Sequence, residues 1–317
     1  MMQRSDTRVL IVGGGAAGIT AAIGLAKRKI PVVVLEGGIF PGAENWSGAV
    51  YFCENLARED ILGEDLLAQT PIERRIVRRG VLASDGSLAA GVSVVSPKAF
   101  EHCYSVLRPV FDHDLAQKAR LFGAEILSGT QALALIRDGS VVRGVLTDRG
   151  PIYADVVFLA EGDASNLVAR EGLERLPKGD GGLQRPEFLQ GIKEVLELPG
   201  DVIDRRFGLS SGEGAAFEIL LRNPKQRGSE FPLNAGAFLY TNRQSLSLGL
   251  VAPLENLKGS AVPHNTLMEW LKSLPALEGL LAEARSVSFG AKVIRGGGYK
   301  EIPTLVQDGL AVGGAAS

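Results

Sequence analysis

Arg8-Val9-Leu10-Ile11-Val12-Gly13-Gly14-Gly15-Ala16-Ala17-Gly18 is the stretch that decides the fold. The apolar run Val9–Val12 reads as a strand buried on both faces, and it ends abruptly at glycine. Ala16 to Arg28 follows with Ile19, Ala22, Ile23 and Ala26 at helical spacing. Pro31-Val32-Val33-Val34-Leu35 is a second buried strand ending in Glu36, an acid 36 − 15 = 21 residues after Gly15. Each part has its own physical task. Gly13 permits a tight turn, Gly15 lets a pyrophosphate approach the backbone, and Gly18 lets the helix lie close to the strand. The helix N-terminus offers N–H groups and the positive end of its dipole to phosphate. Glu36 is placed to accept hydrogen bonds from a ribose diol and disfavours a 2′-phosphate. The unit predicts a Rossmann-like α/β dinucleotide-binding domain. Between FAD and NAD the pattern alone does not decide.

Working outward, the chain has 317 residues, 34 basic and 36 acidic, with 45% apolar and 22% charged residues. That is a folded composition, and its near-neutral charge argues against nucleic acid as a partner. Two cysteines exclude a disulfide scaffold and an in-chain four-thiolate metal site, so no metal site is expected. No signal peptide and no span of about 18 apolar residues is visible, which predicts a cytoplasmic protein, with peripheral membrane contact left open.

Glu36 to Cys53 reads as a glycine-rich functional loop. Residues 72–95 read as two strands around Ser84-Asp85-Gly86. Ser96-Pro97 predicts the start of a long helix running to Phe122, with His102 and His113 as ordinary helix residues. Short strands follow at 125–127 and 132–136, then a hairpin at Asp138-Gly139 and a buried strand over 155–160 ending at Glu161-Gly162-Asp163. Residues 187–254 read as hairpin-rich, with a turn at Pro199-Gly200 and an exposed loop at 222–231. Residues 267–281 read as helical, broken at Pro275, and 310–312 as a last strand running into Gly313-Gly314. The expected division is a discontinuous nucleotide-binding domain, 1–75, 97–170 and 285–317. A sheet-rich substrate domain over 76–96 and 171–284 is inserted into it. Cys53 and Cys103 read as buried apolar residues, and no acid–base constellation presents itself as catalytic.

Several segments together resemble a known family. Leu107-Arg108-Pro109-Val110-Phe111-Asp112-His113-Asp114-Leu115 and Ala160-Glu161-Gly162-Asp163-Ala164-Ser165, after the glycine motif, are similar to FAD-dependent oxidoreductases of the p-hydroxybenzoate-hydroxylase-like superfamily. Three later segments resemble the electron-transfer-flavoprotein:quinone oxidoreductases and their FixC relatives. They are Gly191-Ile192-Lys193-Glu194-Val195, Ala235-Gly236-Ala237-Phe238-Leu239-Tyr240, and Gly296 to Pro303 with Gly313-Gly314. The resemblance covers nearly the whole chain.

It implies FAD in a domain of the glutathione-reductase type. The ADP half would lie on Gly13, Gly15, Gly18 and Glu36, with Ala16, Ala17 and Gly37 also expected to bind the cofactor. Arg108 and the position of Gly314 would lie toward the flavin phosphate and ribityl chain, and Glu161 and Gly162 would also bind the cofactor. Ala132 would meet the adenine, and Asn45, Ser47 and Gly48 the isoalloxazine ring. It implies electron transfer from a reduced electron-transfer flavoprotein to quinone or to an iron–sulfur, ferredoxin-like acceptor. A geranylgeranyl-reductase-like or aromatic-hydroxylase-like flavoenzyme, or a non-catalytic FAD-holding subunit, are the other readings. Two departures stand out. Gly314 takes the place of an acid found in many superfamily members. The chain also stops at Ser317, where relatives continue with a helix facing the cofactor and, in the quinone oxidoreductases, a four-cysteine cluster domain. A truncated chain, a completing partner and an incomplete site are the three expectations this leaves.

Overall fold

The computed structural model describes residues 7–45, 48–174, 178–179, 182–183, 188–222, 225–226, 229–230, 234–257, 263–296 and 302–316. Two large sheets carry the chain. In the first, Thr7–Val12 lies between Val32–Glu36 and Gly150–Leu159, parallel to both, with Val9 opposite Val32 on one side and Val156 on the other. Glu125–Ser128 and Leu310–Val312 extend the parallel order on the two flanks. Ala132–Asp138 and Val141–Thr147 form a hairpin that pairs with the first part of Gly150–Leu159.

Burial on both faces explains the unbroken apolar strands. Ile11 turns to one side, where Ile19, Ala22 and Ile23 of the helix Ala16–Lys27 meet Phe111, Leu115 and Ala119 of the helix Arg108–Leu121. Leu10 and Val12 turn to the other side and pack with Val142, Val145, Val157, Leu159 and Leu167. The strand therefore separates two cores, and a polar residue at any of its central positions would face apolar neighbours.

The second sheet has nine strands. Its path runs Arg285–Arg295, Phe188–Glu197, Ser245–Pro253, Asn234–Thr241, Glu213–Arg222, Ile72–Ser84, Cys103–Leu107 and Gly48–Phe52, with Ala89–Val95 also on Ile72–Ser84. Neighbours are antiparallel except Glu213–Arg222 with Ile72–Ser84. The period of two sorts its faces. Ile192, Leu196, Leu239, Leu246, Leu248 and Leu250 pack with Ile203, Phe207, Leu267 and Leu271 of the covering helices. The helices are Gly200–Phe207, His264–Lys272 and Pro275–Leu281. Lys193, Phe238 and Tyr240 alternate with these apolar residues and so lie on the opposite face. Arg74, only 4% exposed, ties the sheet to its turns. Its Nε donates to the Asn242 carbonyl at 2.6 Å, Nη1 donates to the Glu213 carbonyl at 2.9 Å, and it pairs with Asp204.

The hairpin over 72–95, the strand at 150–159, the break at Pro275 and the last strand match the sequence reading. Three segments differ. The helix expected from Ser96-Pro97 starts only at Arg108. Ser96 does accept a cap-like hydrogen bond from the Ala99 N–H at 3.1 Å, yet Cys103–Leu107 is a strand between Gly48–Phe52 and Ile72–Ser84. Sheet pairing outweighs local helix spacing there, and His102 sits in the turn before that strand. The Pro199-Gly200 pair opens the helix Gly200–Phe207 rather than a turn, because Ile203 and Phe207 find the helix-side core. The loop expected over 36–53 contains the strand Gly48–Phe52. Strands 48–52, 103–107 and 285–295, expected with the nucleotide-binding part, hydrogen-bond into the second sheet. The exposed loop expected at 222–231 and most of the 296–303 motif lie outside the described residues.

Candidate cofactor site

The first strand ends at Gly13, whose φ of +107° suits only glycine, and a Cβ there would sit 2.2 Å from the Ala160 carbonyl oxygen. A Cβ on Gly18 would sit 2.0 Å from the Gly13 carbonyl oxygen, so this residue sets how closely helix and turn approach. Gly15 is different: a Cβ would meet nothing within 4 Å. Gly15 faces a cavity of about 790 Å³, within the range of ligand pockets, roughly 300–1,000 Å³. The bare backbone at Gly15, the helix N-terminus behind it and this space together fit a bound dinucleotide.

Glu36 closes one end. Its Oε2 accepts from the Gly14 N–H at 3.0 Å and its Oε1 from the Gly38 N–H at 2.6 Å. Burial raises its pKa above the ordinary carboxylate value, and these two hydrogen bonds oppose the rise. Beside it Thr130, Gln131 and Ala132 form the wall.

The other end is built from the helix Arg108–Leu121. Arg108 donates to both oxygens of Asp112, one turn on, from Nε at 2.8 Å and Nη2 at 2.7 Å. The Asp112 side chain is fully buried and also accepts from Asn45 Nδ2 at 2.8 Å. One buried carboxylate thus fixes two cavity-wall residues, and the ion pair leaves little net charge there. Burial opposes the Arg108 charge, while Asp112 outweighs this and raises its pKa. Glu161 accepts from the Leu167 and Val168 N–H groups at 3.1 and 3.3 Å, which turns its carboxylate onto the following helix.

Of the expected residues, Gly13, Gly15, Ala16, Ala17, Glu36, Gly37, Asn45, Arg108, Ala132, Glu161 and Gly162 all line this one cavity. Gly18 is buried behind it. Gly48 lines a neighbouring pocket instead. Gly314 stands against Ala17, and its neighbour Ala315 reaches the cavity wall. Ser47 lies outside the described residues. Tyr51, Gln131, Asp163, Asn166 and Lys292 also line the cavity. Asp163 follows the Glu161-Gly162 motif and was within reach of sequence reasoning. Lys292 comes from a strand of the second sheet and carries no local signal.

The neighbouring pocket, about 340 Å³, is mostly apolar and is lined by Gly48, Val50, Phe238 and Tyr240 with Arg79, Glu218 and Lys193. Phe238 and Tyr240 stack with centroids 5.7 Å apart. Burial raises the Tyr240 phenol pKa. Cys53 and Cys103 are buried free thiols, pushed up to about 12 and about 11 by burial. Among the described residues no helix is long and apolar enough to cross a membrane.

The Thi4 family matches residues 1–148. A probable electron transfer flavoprotein-quinone oxidoreductase, YgcN of Escherichia coli K12, is 35% identical over 94% of this chain and 66% of its own length. Protein FixC of Salmonella typhi is 34% identical over 97% of this chain and 69% of its own. The chain therefore spans about two thirds of the curated relatives it matches. Among solved structures, a geranylgeranyl bacteriochlorophyll reductase-like protein from Thermoplasma acidophilum superposes with TM-score 0.72 at 19% identity, covering 98% of this chain and 71% of that one. The myxobacterial chondrochloren halogenase CndH, described as a variant of FAD-dependent halogenases, gives 0.72 at 16% identity, over 99% and 69%. These likenesses show the fold. With the glycine turn, the dinucleotide-sized cavity and the relatives together, the chain belongs to the family of FixC and the electron transfer flavoprotein-quinone oxidoreductases, FAD-dependent oxidoreductases of Rossmann-like fold.

Proposed function

We propose that this chain is the FAD-bearing part of an electron-transfer dehydrogenase. It takes electrons from a reduced electron-transfer flavoprotein and passes them to quinone or to an iron–sulfur, ferredoxin-like partner. The observation that carries the reading is the relationship to YgcN, a probable electron transfer flavoprotein-quinone oxidoreductase, over 94% of this chain. Bound FAD supplies the redox chemistry itself. The protein's own residues bind and orient. The N–H groups at Gly15 and the helix start receive the diphosphate, and Glu36 accepts from the ribose diol. Thr130 to Ala132 border the adenine, and Arg108, held by Asp112, faces the phosphate and ribityl portion. Asn45 and Gly48 flank the ring, with the Phe238–Tyr240 pocket beside it. We assign the protein to the cytoplasm, with peripheral membrane contact at the quinone step.

The test is anaerobic reduction of the purified, FAD-loaded protein by reduced electron-transfer flavoprotein, followed by reoxidation with a soluble quinone analogue. Bleaching of the flavin band and its return on quinone addition are expected. A flavin-loaded protein that neither accepts these electrons nor yields them to quinone would overturn the reading. Reoxidation by a polyprenyl substrate would move it to the reductase-like alternative.

A further inference from the structure

Four cationic side chains stand around the junction of the cavity and the apolar pocket, and three of them are already compensated. Arg108 is paired with buried Asp112. Arg79 pairs with Glu218 at 2.8 Å. Lys292 is exposed and shares its charge with water. Lys193 is the exception. It is half-buried on the cavity-side face of the second sheet, and its Nζ lies 5.4 Å from the centroid of Phe238. Among the described residues no carboxylate forms an ion pair with it. Asp163, on the cavity wall, is near enough to favour its charge, while burial and Arg108 disfavour it more, so its pKa lies below the ordinary lysine value. Its strand places it opposite Gly290, and Lys292 is two residues further along that partner strand. The ammonium therefore borders the apolar pocket and faces residues of the cavity wall at once.

A charge kept partly desolvated, with an aromatic ring against it but no carboxylate paired to it, is unfavourable for the resting fold. It acts strongly on a negative charge that appears beside it, because it is already oriented and poorly screened. We infer that Lys193 is an electrostatic positioning residue, whose ammonium, in no ion pair, holds the negative charge gained by the flavin ring when bound FAD is reduced. The inference rests on the FAD reading above, not on the identity of donor or acceptor. Two electrons pass to FAD from the reduced donor flavoprotein, which is oxidised by the same two electrons. One proton comes from solvent, and the ring system is left with one added negative charge. Lys193 keeps its own proton throughout.

Sulfite tests this without any partner, because it adds to oxidised flavin and leaves negative charge on the ring. Lys193→Met, Lys193→Gln and Lys193→Arg would be loaded with FAD, and flavin affinity, sulfite affinity by bleaching, and midpoint potential measured for each. The expected result is sulfite binding weakened at least tenfold in K193M and K193Q, and held within about threefold in K193R, with FAD affinity little changed. The potential should fall in the same two variants; a tenfold loss of preference for the reduced state corresponds to ~30 mV for a two-electron couple. Unchanged sulfite affinity and potential in a FAD-loaded neutral variant would overturn the inference, as would an equal loss in K193R. Neither result bears on whether the wild type reacts with electron-transfer flavoprotein, so the two proposals fail separately.

Discussion

Gly15 and Gly18 lie three residues apart and answer to different forces. Gly18 is glycine because the protein's own backbone fills the space a side chain would need. Gly15 is glycine with empty space before it on the cavity wall, which fits the close approach of a bound ligand. G15A should therefore unfold within about 2 °C of the wild type while losing at least tenfold in FAD affinity. G18A should be destabilised by about 1–3 kcal/mol through overpacking. Thermal unfolding and flavin fluorescence titration separate the two. Glu36 gives a pH test. Its raised pKa in the cofactor-free protein means that its stabilising share is present below the unfolded value, near 4.5, and is lost as pH rises through the folded pKa. Ribose hydroxyls that donate to the carboxylate favour the ionised form, so FAD affinity should strengthen as pH rises above that value. E36Q should abolish the slope and weaken binding at neutral pH by about 1.5–3 kcal/mol, the worth of hydrogen bonds to a charged group. A pH series of FAD titrations on both proteins checks this.

At the scale of elements, the contest is between local pattern and pairing. Cys103–Leu107 sits in a stretch whose spacing suits a helix, yet its neighbours are two strands with open edges, and Ser105 makes itself part of that sheet. Its hydroxyl donates to the Thr241 carbonyl at 2.7 Å and is completely buried. Arg74 shows how such a sheet is tied together. From a buried position it donates to the carbonyls of Asn242, Glu213 and Gly200 at once, and it pairs with Asp204 of the helix Gly200–Phe207. R74M should cost about 3 kcal/mol, since it strands a carboxylate and several carbonyls. A lower urea midpoint with an unchanged slope is the expected measurement.

At the scale of the molecule, the cavity draws its walls from both sheets, with Gly13 to Ala17 on one side and Tyr51 and Lys292 on the other. A ligand that touches both should stabilise them together. FAD at about a hundred times its dissociation constant should add about 2.7 kcal/mol, an upward shift of roughly 4 °C for a chain of this size. NADP should give no comparable shift, because Glu36 opposes a 2′-phosphate. Differential scanning fluorimetry with each nucleotide reads the difference directly.

What the sequence by itself determined was everything whose cause is local. The strand–turn–helix–strand unit, the acid at its end and the hairpins at 84–88 and 138–141 all follow from residue spacing and turn chemistry over a few positions. The cavity-lining set was legible for the same reason wherever it sat on those motifs. Only the tertiary structure decided the rest. Whether 103–107 is helix or strand depends on edges formed by residues 48–52 and 72–84. That Asp112 holds both Arg108 and Asn45 depends on a loop and a helix meeting 67 residues apart. That Lys193 has no ion pair among the described residues depends on carboxylates elsewhere in the chain being paired with other cations, as Glu218 is with Arg79. These are long-range pairings and charge balances, and no window of neighbouring residues contains them.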